Sequence, residues 1–263
     1  MRPIIHLRDA ETAANANSFT PSRATSAEAP LVRIRPAGPF VDRSMTRPRL
    51  PLLAACSLLL ASAADAATVT VAVRGADGQP APNVVVQLLP AHAVPVKAPA
   101  TPVVIAQRDI HFVPYLTAVP AGTTVRFSNE DPYDHHLRSE PGGPFGNIPP
   151  AKDFEMRLPA MSGGKASTAE VKFDRPGVVM LGCHLHSSMR GHLFVSETPW
   201  VAVTDANGVA TLADVPEGAT ELRTWSPEQL VDQPASRKQI AGASAILEAT
   251  LNFTPPKPRR RHS

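Results

Sequence analysis

Short runs of alternating apolar and polar residues recur along most of this chain. Thr68-Val69-Thr70-Val71-Ala72-Val73 sets valines on one face and smaller or polar residues on the other, the period of a half-buried strand. Gly75-Ala76-Asp77-Gly78 reads as a turn, and Val84 to Leu89 as a second strand that Pro90 ends. Residues 91–102, with His92 and three prolines, read as a linker. From Val103 the texture changes. Phe112-Val113-Pro114 and Val119 to Asn129 predict strand, turn and strand, with clean alternation from Thr124 to Phe127. Residues 141–150 are rich in Gly and Pro and predict a loop, while Phe154 to Leu158 and Ala169 to Phe173 alternate again. Asp174-Arg175-Pro176-Gly177 is a turn signal, Val178 to Gly182 reads as a strand, and Gly191 to Val195 as another. After Pro199 the opening texture returns: Trp200 to Thr204, a hairpin turn at Asp205-Ala206-Asn207-Gly208, Val209 to Leu212, Glu221 to Trp225, and a last strand near Ile246 to Phe253. Many short strands with turns between them predict an all-β sandwich or barrel.

Composition agrees. The 29 prolines among 263 residues favour short strands and loops, and no heptad or amphipathic helical stretch is evident. The length suits one or two domains. Near the start, Met45-Thr46-Arg47-Pro48-Arg49 is basic, Leu50 to Ala63 is apolar, and Ala64-Asp65-Ala66 places small residues at a cleavage spacing. Residues 45–66 are therefore expected to be a Sec-type signal peptide, with a mature chain from Ala67 and a periplasmic location. The apolar stretch is short for a membrane span, the anchor being the other reading. Leu53-Ala54-Ala55-Cys56 also matches a lipoprotein cleavage box, a minor alternative. Residues 1–44 show no periodicity and read as a disordered extension or an early start, with Met45 the initiator; residues 255–263 read as a disordered basic tail.

Charge shifts once the leader is set aside. Residues 1–66 carry eight arginines against five acidic residues, which accounts for the whole net charge of +3. Residues 67–256 carry 14 basic against 18 acidic side chains, so the expected folded body is mildly acidic and unlike a nucleic-acid binder.

Of the two cysteines only Cys183 lies beyond the leader, so an exported chain would have no internal disulfide. A buried free thiol is the bland reading. Its neighbours point to metal: Cys183, His186 and Met189 fall at a three-residue period, and the pair His135-His136 lies upstream. A thiolate, two imidazoles and a weak thioether are the ligands of a mononuclear blue-copper site. A structural zinc site would favour another Cys or His in place of Met. A Cys–His nucleophile is conceivable, but no oxyanion hole or orienting carboxylate is visible and the Met goes unexplained. His184 reads as pointing to solvent beside the site, and His192 as a surface or half-buried side chain; His92 and His111 are isolated.

Phe112-x-Pro114, Val119-x2-Gly122-Thr123-x-Val125-x-Phe127-x-Asn129-x-Asp131-x3-His135 and Cys183-x2-His186-x2-Met189 together resemble the cupredoxins, most of all the plastocyanin and amicyanin group. The resemblance implies a Greek-key β-sandwich over about 103–197 holding one type 1 copper ion. It implies His135, Cys183 and His186 as equatorial ligands and Met189 as the axial one. In that family the first His stands four residues after the Asp, which selects His135; His136 remains the rival. The family's usual Asn after that His is here His136.

The flanks, 68–92 and 199–254, resemble two halves of one carboxypeptidase-regulatory-like or transthyretin-like (Ig-like) β-sandwich. The expectation is a cupredoxin inserted into that second sandwich. The resemblance further implies an exported electron carrier that is not an enzyme, with redox partners such as a dehydrogenase or a c-type cytochrome, and is similar to plastocyanin-like proteins linked with methylamine utilisation. Copper storage or delivery stays open as another class; a subdomain of a multicopper oxidase would need a second, His-rich copper cluster, and the sequence shows none.

Overall fold

A computed structural model describes residues 66–256 apart from 93, 144, 145 and 147. The expected extension (1–44), all but the last residue of the expected leader (45–66) and residues 257–263 of the basic tail lie outside the described residues.

Those residues form sixteen strands and, among them, no helix. In chain order they are β1 (Ala66–Arg74), β2 (Val85–Pro90), β3 (Val103–Arg108), β4 (His111–Val113), β5 (Leu116–Pro120), β6 (Thr123–Asn129), β7 (His135–Glu140) and β8 (Glu155–Leu158). There follow β9 (Ser167–Phe173), β10 (Gly177–Cys183), β11 (Arg190–Ser196), β12 (Val201–Val203), β13 (Val209–Pro216), β14 (Gly218–Trp225), β15 (Ser236–Ile240) and β16 (Ser244–Thr250).

The first two strands pair with four of the last five. β1 lies between β13 and β16, antiparallel to the first and parallel to the second. β2 lies between β12 and β14, and β15 extends that sheet. A core of Val69, Val71, Val84, Val86, Leu88, Leu212, Leu222 and Ile240 draws on both sheets. Gly208 makes the close turn: its φ is +73°, and a Cβ there would lie 2.5 Å from Val73 O.

β3 to β11 make a second sandwich between β2 and β12 in the chain. One sheet runs β4-β3-β6-β9 and the other β5-β11-β10-β7-β8. Ile105, Val125, Phe127, Leu137, Phe173, Val179, Leu181 and Leu193 fill the space between them, and Cys183 and Met189 belong to the same cluster. Removing side chains of this size from water contributes about 1.5–3 kcal/mol each before entropy is counted. The outer face of the five-stranded sheet then meets the flanking strands: Leu116 and Phe194 form a small cluster with Val85, joined by Val201, Val203 and Trp225.

Three strands, β3, β7 and β15, were absent from the pattern reading. β3 hides its period because Ile105, Ala106 and Gln107 are buried in succession. β15 is a polar edge strand, Ser-Arg-Lys-Gln-Ile, with one buried residue, Ile240. The last strand also starts and ends earlier than expected, after which Leu251 N donates to Arg74 O.

Candidate metal centre

Three strand ends build the centre. β7 and β10 are antiparallel neighbours with Cys183 opposite Leu137, so the start of one and the end of the other lie together. His135 opens β7 and Cys183 closes β10. The loop 184–189 then turns back into β11. His184 N donates to His136 O at 2.9 Å and Met189 N donates to His186 O at 2.9 Å, which tightens the loop.

His135 and Cys183 are 0% and 2% exposed, and His186 is half-buried. Cys183 Sγ lies 3.6 Å from His135 Nδ1 and 3.6 Å from His186 Nδ1, and the two nitrogens are 3.2 Å apart. A point equidistant from these three atoms is about 2 Å from each, a metal–imidazole bond length. Two imidazole nitrogens and a thiol sulfur converging at that spacing fit copper by donor type as well as by size. Met189, 1% exposed, closes the same loop inside the core.

Strand alternation separates the histidine pair. His135 points into the sandwich, and His136 lies on the other face of β7. There His136 Nε2 is 2.8 Å from Glu155 Oε1, and the exposed His184, whose ring stands 4.9 Å from that of His136, reaches the same oxygen at 3.3 Å. His184 also meets Arg138 at 3.3 Å. His192 faces the flanking strands, its ring 5.1 Å from Tyr115 and 6.2 Å from Trp225. Burial pushes its imidazole down to about 4, and Arg190 adds to the shift.

Groups around these candidate ligands matter as much, and the sequence marks them only as landmarks. His135 Nε2 lies 2.8 Å from Asp131 Oδ2. With the carboxyl ionised, Nε2–H donates to it and Nδ1 keeps its lone pair for the centre. Asp131 is itself pinned: Oδ1 accepts from Asp109 N at 2.6 Å and Oδ2 from Ile110 N at 3.1 Å. Burial pushes this carboxyl upward, but the bonds from His135, Ile110 and Asp109 outweigh it and hold it below its ordinary value. The two amides come from a two-residue hairpin turn in which Asp109 and Ile110 both have positive φ, 52° and 61°. That backbone is costly for a β-branched residue and is offset here by the carboxylate it binds. Asn129, fully buried, accepts from Asp131 N and donates to the carbonyls of Tyr133, Leu158 and Pro159.

Tyr133 was missed altogether. Its ring lies 5.6 Å from that of His135 and 5.4 Å from that of His186. The available signal was an aromatic residue two positions before a candidate ligand.

No protein-family model matches the chain, and no curated protein does. Solved structures of copper proteins are similar over part of it. The Cu-containing nitrite reductase NirK from Thermus scotoductus SA-01 is 26% identical over 40% of this chain and 25% of its own, with a TM-score of 0.31. The chain thus spans about a quarter of the length of that reductase. A purple cupredoxin from Nitrosopumilus maritimus is 22% identical over 35% of this chain and 96% of its own, with a TM-score of 0.28. A mutant of amicyanin in its Cu(I) form is 20% identical over 36% of this chain and 82% of its own, with a TM-score of 0.27.

Proposed function

We propose that this chain is an exported type 1 copper protein that carries single electrons between redox partners. The observation that carries the reading is the triangle of His135 Nδ1, His186 Nδ1 and Cys183 Sγ. A copper ion bound there would supply a one-electron couple. His135, Cys183 and His186 would hold it, and Met189, on the same loop, would supply a soft thioether beside them. The chain's own part is rigidity. His135 and Cys183 sit on neighbouring strands of one sheet, and Asp131 fixes the His135 ring. A centre held this way rearranges little between oxidation states, which favours fast transfer.

His186 is the half-buried ligand, and Leu185 beside it is 53% exposed, so this edge is where a partner approaches. The partners are exported redox proteins such as a dehydrogenase or a c-type cytochrome, met through small, short-lived contacts. The proposal places the mature chain in the periplasm, delivered by the leader at 45–66, and treats 68–92 with 199–254 as a host sandwich around the copper module at 103–197. Strand pairing of β1 and β2 with β12, β13, β14 and β16 supports that division. The chain acts as a carrier and not as an enzyme.

A second reading, copper storage or delivery, is favoured by His136, His184 and Glu155, which cluster beside Cys183. Reconstitution with one equivalent of Cu(II) separates the two. Electron transfer requires an intense visible thiolate-to-copper band and reversible one-electron reduction. A colourless, readily exchanged ion would establish delivery instead.

A further inference from the structure

The geometry points to Tyr133 as the residue that clamps both imidazoles and closes the solvent side of the metal centre. Its ring is edge-on to His135, with planes at 66°, and tilted by 56° to His186. The two histidines come from different elements, β7 and the loop after β10, and the Tyr133 ring packs beside both, its centroid 5.6 Å from that of His135 and 5.4 Å from that of His186. Tyr133 is 36% exposed, so it stands between the imidazoles and water.

The loop that carries Tyr133 is built to hold it still. Its carbonyl accepts from the buried Asn129 side chain at 2.8 Å. On one side Asp131 O accepts from Met161 N at 2.8 Å, and on the other Asp134 Oδ1 accepts from Ala160 N at 2.8 Å. Asp134 is paired with Arg157 as well. Pro132 before it restricts the backbone further. A ring carried on a loop held by these bonds, and packed beside both imidazoles, restrains their rotation and limits access to Cys183. The described hydrogen bond at Tyr133 is to its backbone carbonyl, so the ring meets the imidazoles by packing.

This deepens the copper reading, and one arm of its test does not depend on that reading. In the metal-free protein, Tyr133→Ala is expected to raise the rate of Cys183 alkylation by iodoacetamide about tenfold, with circular dichroism and melting close to the parent. Tyr133→Phe, which keeps the ring, is expected to match the parent. In the copper-loaded protein, Tyr133→Ala is expected to lose copper to a chelator about tenfold faster and to shift the visible band, and Tyr133→Phe to do neither. If Tyr133→Ala does not fold, Tyr133→Leu, which keeps apolar bulk without a flat ring, makes the same comparison and is expected to move in the same direction. Parent-like alkylation in a folded Tyr133→Ala or Tyr133→Leu protein would overturn the proposal, as would a Tyr133→Phe protein that behaves like Tyr133→Ala. If the parent takes up no copper, the electron-carrier reading falls, and the alkylation rates still decide the role of Tyr133.

Discussion

Asp131 Oδ2 stands 2.8 Å from His135 Nε2, and both side chains are buried. That one contact sets the tautomer of a candidate ligand, because a carboxylate at Nε2 leaves Nδ1 free to face Cys183. Asp131→Asn keeps the shape but places an amide with a single acceptor oxygen where three N–H groups converge. We expect copper affinity to fall by about 10- to 100-fold, measured by competition with a chelator. An unchanged affinity would remove Asp131 from the account of the site.

The histidine pair gives a sharper test of the ligand set. His135→Ala should abolish the thiolate-to-copper band, and Cys183→Ser should do so too. His136→Ala should keep the band, since His136 faces Glu155 on the opposite side of β7. Loss of colour in His136→Ala with retention in His135→Ala would reverse the assignment.

Behind the loop, Gly191 has no room for a side chain. A Cβ there would lie 2.8 Å from Phe112 Cβ and 2.9 Å from its Cγ, and Phe112 is a buried core residue. Gly191→Ala should therefore destabilise the protein by about 1–3 kcal/mol, read from the midpoint of denaturant unfolding. A midpoint equal to the parent's would mean that the core yields more easily than its packing indicates.

Much of this was legible in the sequence, for identifiable reasons. The strands with one buried face, such as Thr68 to Val73 and Thr124 to Phe127, announce themselves by alternation. The loop from Cys183 to Met189 is short, so three of its residues could be placed together from spacing alone. His135 needed a landmark, Asp131, and the landmark turned out to bind it. What stayed hidden depends on contacts between segments far apart in the chain. Nothing in Asp109-Ile110 signals a left-handed turn, because Ile disfavours it and only the carboxylate of Asp131 compensates. Tyr133 lies over His186 across 53 positions of sequence, a relationship that no local period encodes. β15 is polar and sits at a sheet edge, so its pairing with β14 is the only thing that marks it as a strand.

The junction between the two sandwiches is testable through His192. Its imidazole titrates near 6.5 when exposed and about 4 in the fold, where burial against Tyr115 and Trp225 disfavours the charge. Between those values the unfolded chain holds a proton that the folded chain does not. Stability should accordingly fall as pH drops from about 7 to about 4, by an amount on the order of 2 kcal/mol given partial exposure, and this contribution should be flat above pH 7. His192→Phe keeps an aromatic ring against Tyr115 and Trp225 and removes the titration. Denaturant unfolding of parent and variant at pH 7 and pH 4 isolates the term, because the carboxylates that also respond to acid are common to both proteins. The variant should lose less stability on acidification than the parent. Equal losses would show that the fold does not hold the His192 imidazole neutral.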